Sequence, residues 1–367
     1  MIGTRPEAIK LCPLVLELKK RNSFSTLVCT TGQHGELLSS ALSVFETTAD
    51  IALPAMEAGL DLSFLGARLL SSVDRVICEE KPDLVLVQGD TASAFFSALA
   101  AFQNKIPTGH VEAGLRTYCM HAPFPEELYR RAISLFATLH FAPTEDARTH
   151  LLSEGVTPAS VFVTGNTVID ALRFTLQKKE SQDHFSLPPQ KRMIIFTAHR
   201  RENLGEPMRA AFSALRRLLE HFPDVIALCP LHPNPAVRKI ARDILKGCAR
   251  VRLIEPPELV TFHRLLASAY LVITDSGGIQ EEAAALGIPT LVTRTETERG
   301  EGVKHGILRL VGTNEEDILS SACELLGADA SRYAQLRVPT EVFGDGTASI
   351  RIADIIEDFL SREQPAQ

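Results

Sequence analysis

Apolar runs of strand length alternate with amphipathic stretches of helical period from one end of the chain to the other. In the first half the runs at 25–30, 84–88, 108–112, 140–142 and 161–164 predict strands, and in the second those at 193–197, 225–229, 251–254, 271–274 and 290–293. Helical spacing fills the gaps between them, so the same strand–helix series is read twice. That alternation predicts an α/β fold of two Rossmann-like domains facing across a cleft, each with a mostly parallel sheet covered by helices. Residues 178–192, polar and holding Pro188 and Pro189, read as the linker between the two series. The expected domains are 1–167, rejoined by a C-terminal helix over 346–367, and 168–345. In that closing segment Ile350, Ile352, Ile355, Ile356, Phe359 and Leu360 recur at helical spacing.

Composition narrows the class. At 367 residues there is chain enough for two buried cores, and 45% hydrophobic with 23% charged residues is the balance of an ordinary globular protein. No apolar run approaches the roughly 18 residues of a membrane span and no charged-then-apolar leader opens the sequence, so a cytoplasmic, membrane-free protein is expected. Seven cysteines, scattered and never in a C-x-x-C pair, predict free thiols rather than a disulfide or zinc framework. A net charge of −7 speaks against a nucleic-acid surface. An anionic substrate would need a local basic pocket.

Asp275-Ser276-Gly277-Gly278-Ile279-Gln280-Glu281-Glu282 follows the apolar run 269–274 and opens a helix that closes at Gly287. Strand, glycine turn, helix is the order that aims backbone N–H groups at an anion. A diphosphate on Ser276, Gly277 and Gly278 is compatible with a ribose hydrogen-bonded to Glu282. An ordinary strand-to-helix turn would show the same residues. Other polar motifs also sit at predicted strand ends. Gly3-Thr4-Arg5-Pro6 places Arg5 and Lys10 around a helix start, a possible phosphate clamp. Asp90 follows the 84–88 strand as either a cap or a catalytic group, and Glu112 ends the next strand with Arg116 four residues on, an arrangement that a structural Glu–Arg pair also explains. Glu126 and Glu127 open a helix that then carries Arg130 and Arg131. His199-Arg200-Arg201 is a cation cluster directly after a strand, while 294–302 is a polar loop or a lid.

The order and spacing of these motifs resemble the UDP-N-acetylglucosamine 2-epimerases of the non-hydrolysing bacterial type. The resemblance runs from G-T-R-P-E-A-I-K at Gly3 through G-D-T at Gly89, H-V-E-A-G-L-R-T at His110, P-E-E at Pro125, H-R-R-E-N at His199 and D-S-G-G-I-Q-E-E at Asp275 to T-E-R-x-E-G-V at Thr297. It implies a GT-B-like arrangement with UDP held mainly by the second domain. By matching motif, Arg5, His199, Ser276, Gly277, Gly278 and Glu282 would hold the nucleotide. Lys10, Asp90, Glu112, Glu126, Arg130 and His199 would surround the sugar and the leaving diphosphate. The implied activity is reversible conversion of UDP-GlcNAc to UDP-ManNAc for surface polysaccharide synthesis, by a homodimer that needs neither NAD nor a metal. The chain itself lacks the NAD-type G-x-G-x-x-G in either half. A hydrolysing relative releasing ManNAc, and a GT-B glycosyltransferase, are the alternatives.

The sequence also departs from the family pattern. It starts later than the family usually does, which predicts a first strand reduced to almost nothing before Gly3. Tyr129 stands where the family usually has Asn, and Gly300 where it usually has Pro. Met56-Glu57-Ala58-Gly59-Leu60 replaces a segment that commonly carries Gln and helps bind a second, activating UDP-GlcNAc, although Gln33 and His34 remain.

Overall fold

The computed structural model describes residues 1–33, 35–54, 61–178, 190–200 and 203–363. His34, the 56–60 segment, most of the expected linker, and Arg201 and Glu202 of the H-R-R-E-N motif lie outside the described residues. The chain divides into two compact units, Met1–Phe174 with Gly344–Gln367, and Thr175–Phe343. The division falls inside the helix Thr167–Gln177.

Unit 1 contains β1 (Cys29–Thr30), β2 (Ile51–Ala52), β3 (Val85–Gln88), β4 (Thr108–Val111), β5 (Leu139–Ala142) and β6 (Val161–Val163). β3, β4, β5 and β6 form a parallel four-stranded sheet in that order, and β1 pairs with β2. Between the two groups stands Ile2 alone. Its amide donates to Cys29 O, its carbonyl accepts from Thr31 N, and the Met1 ammonium donates to Leu86 O. The expected first strand is thus a single bridge, Ile2 to Thr30. Val85 and Val87 of β3 pack with Val73, Val76 and Ile77 from the helix Leu62–Glu80 and with Ala94, Ala98 and Ala101 from the helix Ala92–Gln103.

Unit 2 contains β7 (Arg192–Thr197), β8 (Val225–Pro230), β9 (Val251–Ile254), β10 (Leu271–Thr274), β11 (Thr290–Val292) and β12 (Leu308–Leu310). All pairings are parallel, in the order β12-β11-β10-β7-β8-β9. Counted within the unit this is the doubly wound Rossmann order, whose topological switch point lies between the first and fourth strands, here β7 and β10. Alternation along β7 feeds two cores. Ile194 and Phe196 join Phe212, Leu215 and Leu218 of the helix Glu206–His221, while Met193 and Ile195 join Leu265, Leu266 and Ala283 on the other face. Phe196 and Phe212 lie with ring centroids 4.9 Å apart, and burying each such side chain stabilises the fold by about 2–3 kcal/mol. β12 was not legible as a strand: exposed Arg309, paired to Glu324, interrupts its apolar pattern at the sheet edge.

The closing helix, Ala348–Glu363, returns to unit 1. The buried carboxylate of Asp170 accepts from the amides of Ala348 (3.2 Å) and Ser349 (2.8 Å), capping that helix from a distant part of the chain. Ile352, Ala353 and Ile356 are buried, and Arg21 pairs with Asp354 and Glu357. All seven cysteines are free thiols. No helix among the described residues is long and apolar enough to cross a membrane.

Candidate active site

In unit 1 the polar motifs converge beyond the carboxyl ends of β3, β4 and β6. The helix Arg5–Lys20 begins with a capping box: Glu7 N donates to Thr4 Oγ1, and Glu7 Oε2 accepts from the amides of Gly3 and Thr4. The other oxygen of Glu7 accepts from Thr91 Oγ1 at 2.6 Å, which ties the Gly3 turn to the turn after β3. Burial pushes the Glu7 carboxyl up, and the Thr91, Thr4 and Gly3 bonds only partly offset this. Thr91 caps the helix Ala92–Gln103, so Asp90 is not needed as a cap and pairs instead with Arg130 at 2.5 Å. Gly89 takes φ +69°, and His110 Nε2 lies 2.8 Å from its carbonyl. A carbonyl only accepts, so Nε2 carries the proton. Burial drives His110 down to about 3, which keeps the ring neutral.

Glu112 is the centre of this region. It is a non-glycine residue at φ +63°, a left-handed conformation that costs about 1–2 kcal/mol. The turn swings its carboxylate into a set of donors. Lys10 Nζ lies 2.6 Å from both oxygens, Asn166 Nδ2 donates to Oε1 at 2.8 Å, and Gln88 Nε2 donates to Oε2. The residue is 8% exposed. A Glu112–Arg116 pair does not form: Arg116 turns to Glu154 at 2.8 Å, with Ser134 as a further partner. Of the two acids that open the helix Glu126–Phe136, Glu127 is structural, fully buried and accepting from Thr117 N and Tyr118 N. Glu126, one position earlier, starts the helix after Pro125. Tyr129 fills an apolar slot against Phe95, with ring centroids 5.0 Å apart. Arg5 occupies the first position of its helix.

In unit 2 the motifs flank the switch point between β7 and β10. Thr197 and Thr274, at the ends of these strands, share a hydroxyl hydrogen bond of 2.6 Å. Just beyond, buried Asp275 accepts from the amides of His199 and Arg200 and from Asn203 Nδ2, and His199 Nδ1 lies 3.0 Å from its Oδ1. A carboxylate only accepts, so His199 donates from Nδ1 and its Nε2 is left for other work. Burial would raise the Asp275 carboxyl, yet the bond and charge of His199 together with these amides hold it below its ordinary value. Ser276 is the N-cap of the helix Gly277–Ala285, and its side chain makes no capping bond among the described residues. The first amides of that helix therefore point outward, as an anion requires. Glu282 is 6% exposed, with Oε1 at 3.3 Å from His263 Nε2.

A β-carbon at position 277 would lie 2.8 Å from the guanidinium carbon of Arg299. Arg299 is itself fixed by Glu281 at 2.7 Å and Glu298 at 3.3 Å, and Arg294 pairs with Glu298 at 2.8 Å. Burial would raise Glu298, but the charges of Arg299 and Arg294 bring it far below its usual range. In the 294–302 stretch Thr295 and Glu296 are exposed, while Arg294, Glu298 and Arg299 are buried. The stretch is clamped to the helix that carries the glycine turn.

Every proposed site residue has a defined place. Lys10 meets Glu112, and Asp90 meets Arg130, in unit 1; His199 and the 276–278 turn are joined through Asp275 in unit 2. Sequence reasoning passed over Gln88, Asn166, Glu7 and His263, and read Asp275 only as part of the turn. Asn166 could have been found, because it follows β6 as Glu112 follows β4.

Over residues 16–357 the chain matches the family model described as UDP-N-acetylglucosamine 2-epimerase. The UDP-N-acetylglucosamine 2-epimerase of Bacillus subtilis is 46% identical over 370 residues, spanning 100% of this chain and 96% of its own length. The crystal structure of UDP-GlcNAc 2-epimerase from Neisseria meningitidis bound to UDP-GlcNAc matches with a TM-score of 0.93 at 42% identity, covering 97% of this chain and 98% of that one. That of the Methanocaldococcus jannaschii enzyme in complex with UDP-GlcNAc and UDP gives 0.83 at 31% identity, covering 97% and 98%. The fold is therefore α/β of the GT-B-like class, with parallel sheets flanked by helices. The chain belongs to the UDP-N-acetylglucosamine 2-epimerase family and is an isomerase.

Proposed function

We propose that the protein interconverts UDP-GlcNAc and UDP-ManNAc without hydrolysis, by eliminating UDP to give 2-acetamidoglucal and adding it back. The observation that carries this reading is the Glu112 centre. A carboxylate on a strained turn, clamped by Lys10, Gln88 and Asn166 beside the Asp90–Arg130 pair, is more than a simple sugar transfer needs. The proton at C2 is not acidic, so its loss needs the C1–O bond to break while positive charge builds at C1. Asp90, Glu112 and Glu126 supply negative charge for that carbon and exchange the C2 proton. The amides of Gly277 and Gly278, Ser276, Arg5 and His199 stabilise the departing UDP, and Glu282 holds its ribose. His199 is aimed by Asp275. Protonation of the glucal on the opposite face of C2 and return of UDP to C1 inverts the centre and balances the reaction.

Incubation with UDP-GlcNAc in D2O, followed by NMR at C2, tests this. Deuterium at C2 of both UDP-sugars is expected. Accumulation of free ManNAc and UDP would mean hydrolysis instead, and unlabelled sugar would refute elimination.

A further inference from the structure

His263 lies outside every motif discussed above, yet it is fully buried and both of its ring nitrogens are engaged. Nδ1 is 2.5 Å from Thr175 Oγ1, and Nε2 is 3.3 Å from Glu282 Oε1. Thr175 is also fully buried. Glu282 Oε2, the second oxygen, is buried and meets no hydrogen-bond partner among the described residues. A carboxylate that spends one oxygen on a histidine and keeps the other unpaired has a lone pair for a ligand hydroxyl.

The proton positions follow from the partners. Glu282 Oε1 accepts in this contact, so Nε2 of His263 carries the hydrogen. In the neutral ring Nδ1 then accepts the hydrogen bond of the Thr175 hydroxyl, and Thr175 fixes the ring plane. The three side chains come from three separate helices, Thr167–Gln177, Leu259–Ala267 and Gly277–Ala285, so none of this order is imposed by local chain geometry.

From this we infer that His263 is a positioning residue for nucleotide recognition: held by Thr175, it fixes the rotamer of Glu282 so that Oε2 meets the hydroxyls of the ribose. The inference rests on the reading of Glu282 as the ribose ligand. It predicts that His263 matters to the sugar hydroxyls of the nucleotide and not to its phosphates or base.

Titration of the full chain with UDP and with 2′,3′-dideoxy-UDP tests it. The side-chain amide of Asn can replace Nδ1 but does not reach Glu282, whereas that of Gln can replace Nε2. His263→Asn should weaken UDP about tenfold to a hundredfold, as expected for losing an orienting bond to a charged group. The dideoxy analogue should be held as well as by the wild type, and His263→Gln should recover most of the loss for UDP. Thr175→Val, which leaves the imidazole in place, should show a smaller loss of the same selectivity and serves if the Asn variant does not fold. Equal weakening of both nucleotides, or no weakening, overturns the inference. Should the wild type fail to distinguish the two nucleotides, the ribose role of Glu282 itself falls. If Glu282→Gln loses the distinction while His263→Asn keeps it, only the positioning role falls.

Discussion

The two units carry polar clusters built from different materials. In unit 2 the proposed anion site is made of main chain: a glycine turn and uncapped amides at the switch point of a doubly wound sheet, backed by buried Arg299. In unit 1 it is made of side chains, a carboxylate held by an ammonium and two amides on a backbone turn that is itself strained. Main-chain donors cannot change protonation state, which suits gripping a diphosphate through a whole reaction. Side chains can accept and release protons, and the donors around Glu112 fix the place of one that can. On the proposed function, retention falls to unit 2 and bond chemistry to unit 1.

The sharpest way to break that division is Glu112→Gln. Turnover should fall by about a hundredfold to ten-thousandfold, the usual worth of a positioned acid or base, while UDP affinity from calorimetry stays within about threefold. Parallel loss of both would show that Glu112 serves binding. The complementary change, Gly277→Ala, drives a methyl group against an arginine that two buried glutamates hold in place. Overpacking of this kind costs about 1–3 kcal/mol, so UDP should bind about tenfold more weakly and KM should rise more than kcat falls. A loss confined to kcat would reverse the assignment.

A smaller effect concerns pH. His110, which supports the Gly89 turn before Asp90, is driven down to about 3 by burial, and His140 to about 4. Both have folded values below the unfolded value of 6.5. Their contribution to stability is complete above that value and is lost as the pH falls towards the folded values, because the unfolded chain takes up protons that the fold refuses. Raised Glu7 acts with the opposite sign above its ordinary value of 4.5, so the useful quantity is a difference between proteins. His110→Gln should flatten the decline of unit 1 melting temperature between about pH 6.5 and 5 relative to wild type. An unchanged slope would mean that another group sets the acid sensitivity.

The same contrast governs what could be read in advance. The glycine turn was legible because its working atoms lie within one run of consecutive residues, and the strands were legible because buried β7, β8 and β10 are nearly continuous apolar runs. The Glu112 centre was only half visible. Its partners Lys10, Gln88 and Asn166 come from three other segments, brought together by the order of β3, β4 and β6. Asp275 reads locally as part of an anion turn, yet its carboxylate faces His199, since β7 and β10 are neighbours in the sheet though distant in sequence. The division between units at Phe174 and Thr175, where 167 and 168 were expected, lies within one amphipathic helix, and periodicity does not mark where along a helix its contacts change sides.

The helix that closes the chain gives the two units different histories. Unit 2 is one continuous stretch, whereas unit 1 lacks its last packed helix, and the Asp170 carboxylate its partners, until residues beyond 344 have been made. A ribosome adds about 5–20 residues each second and domains usually fold amino end first. Here that order is inverted: the unit that starts first is completed last, after all of unit 2 has been synthesised.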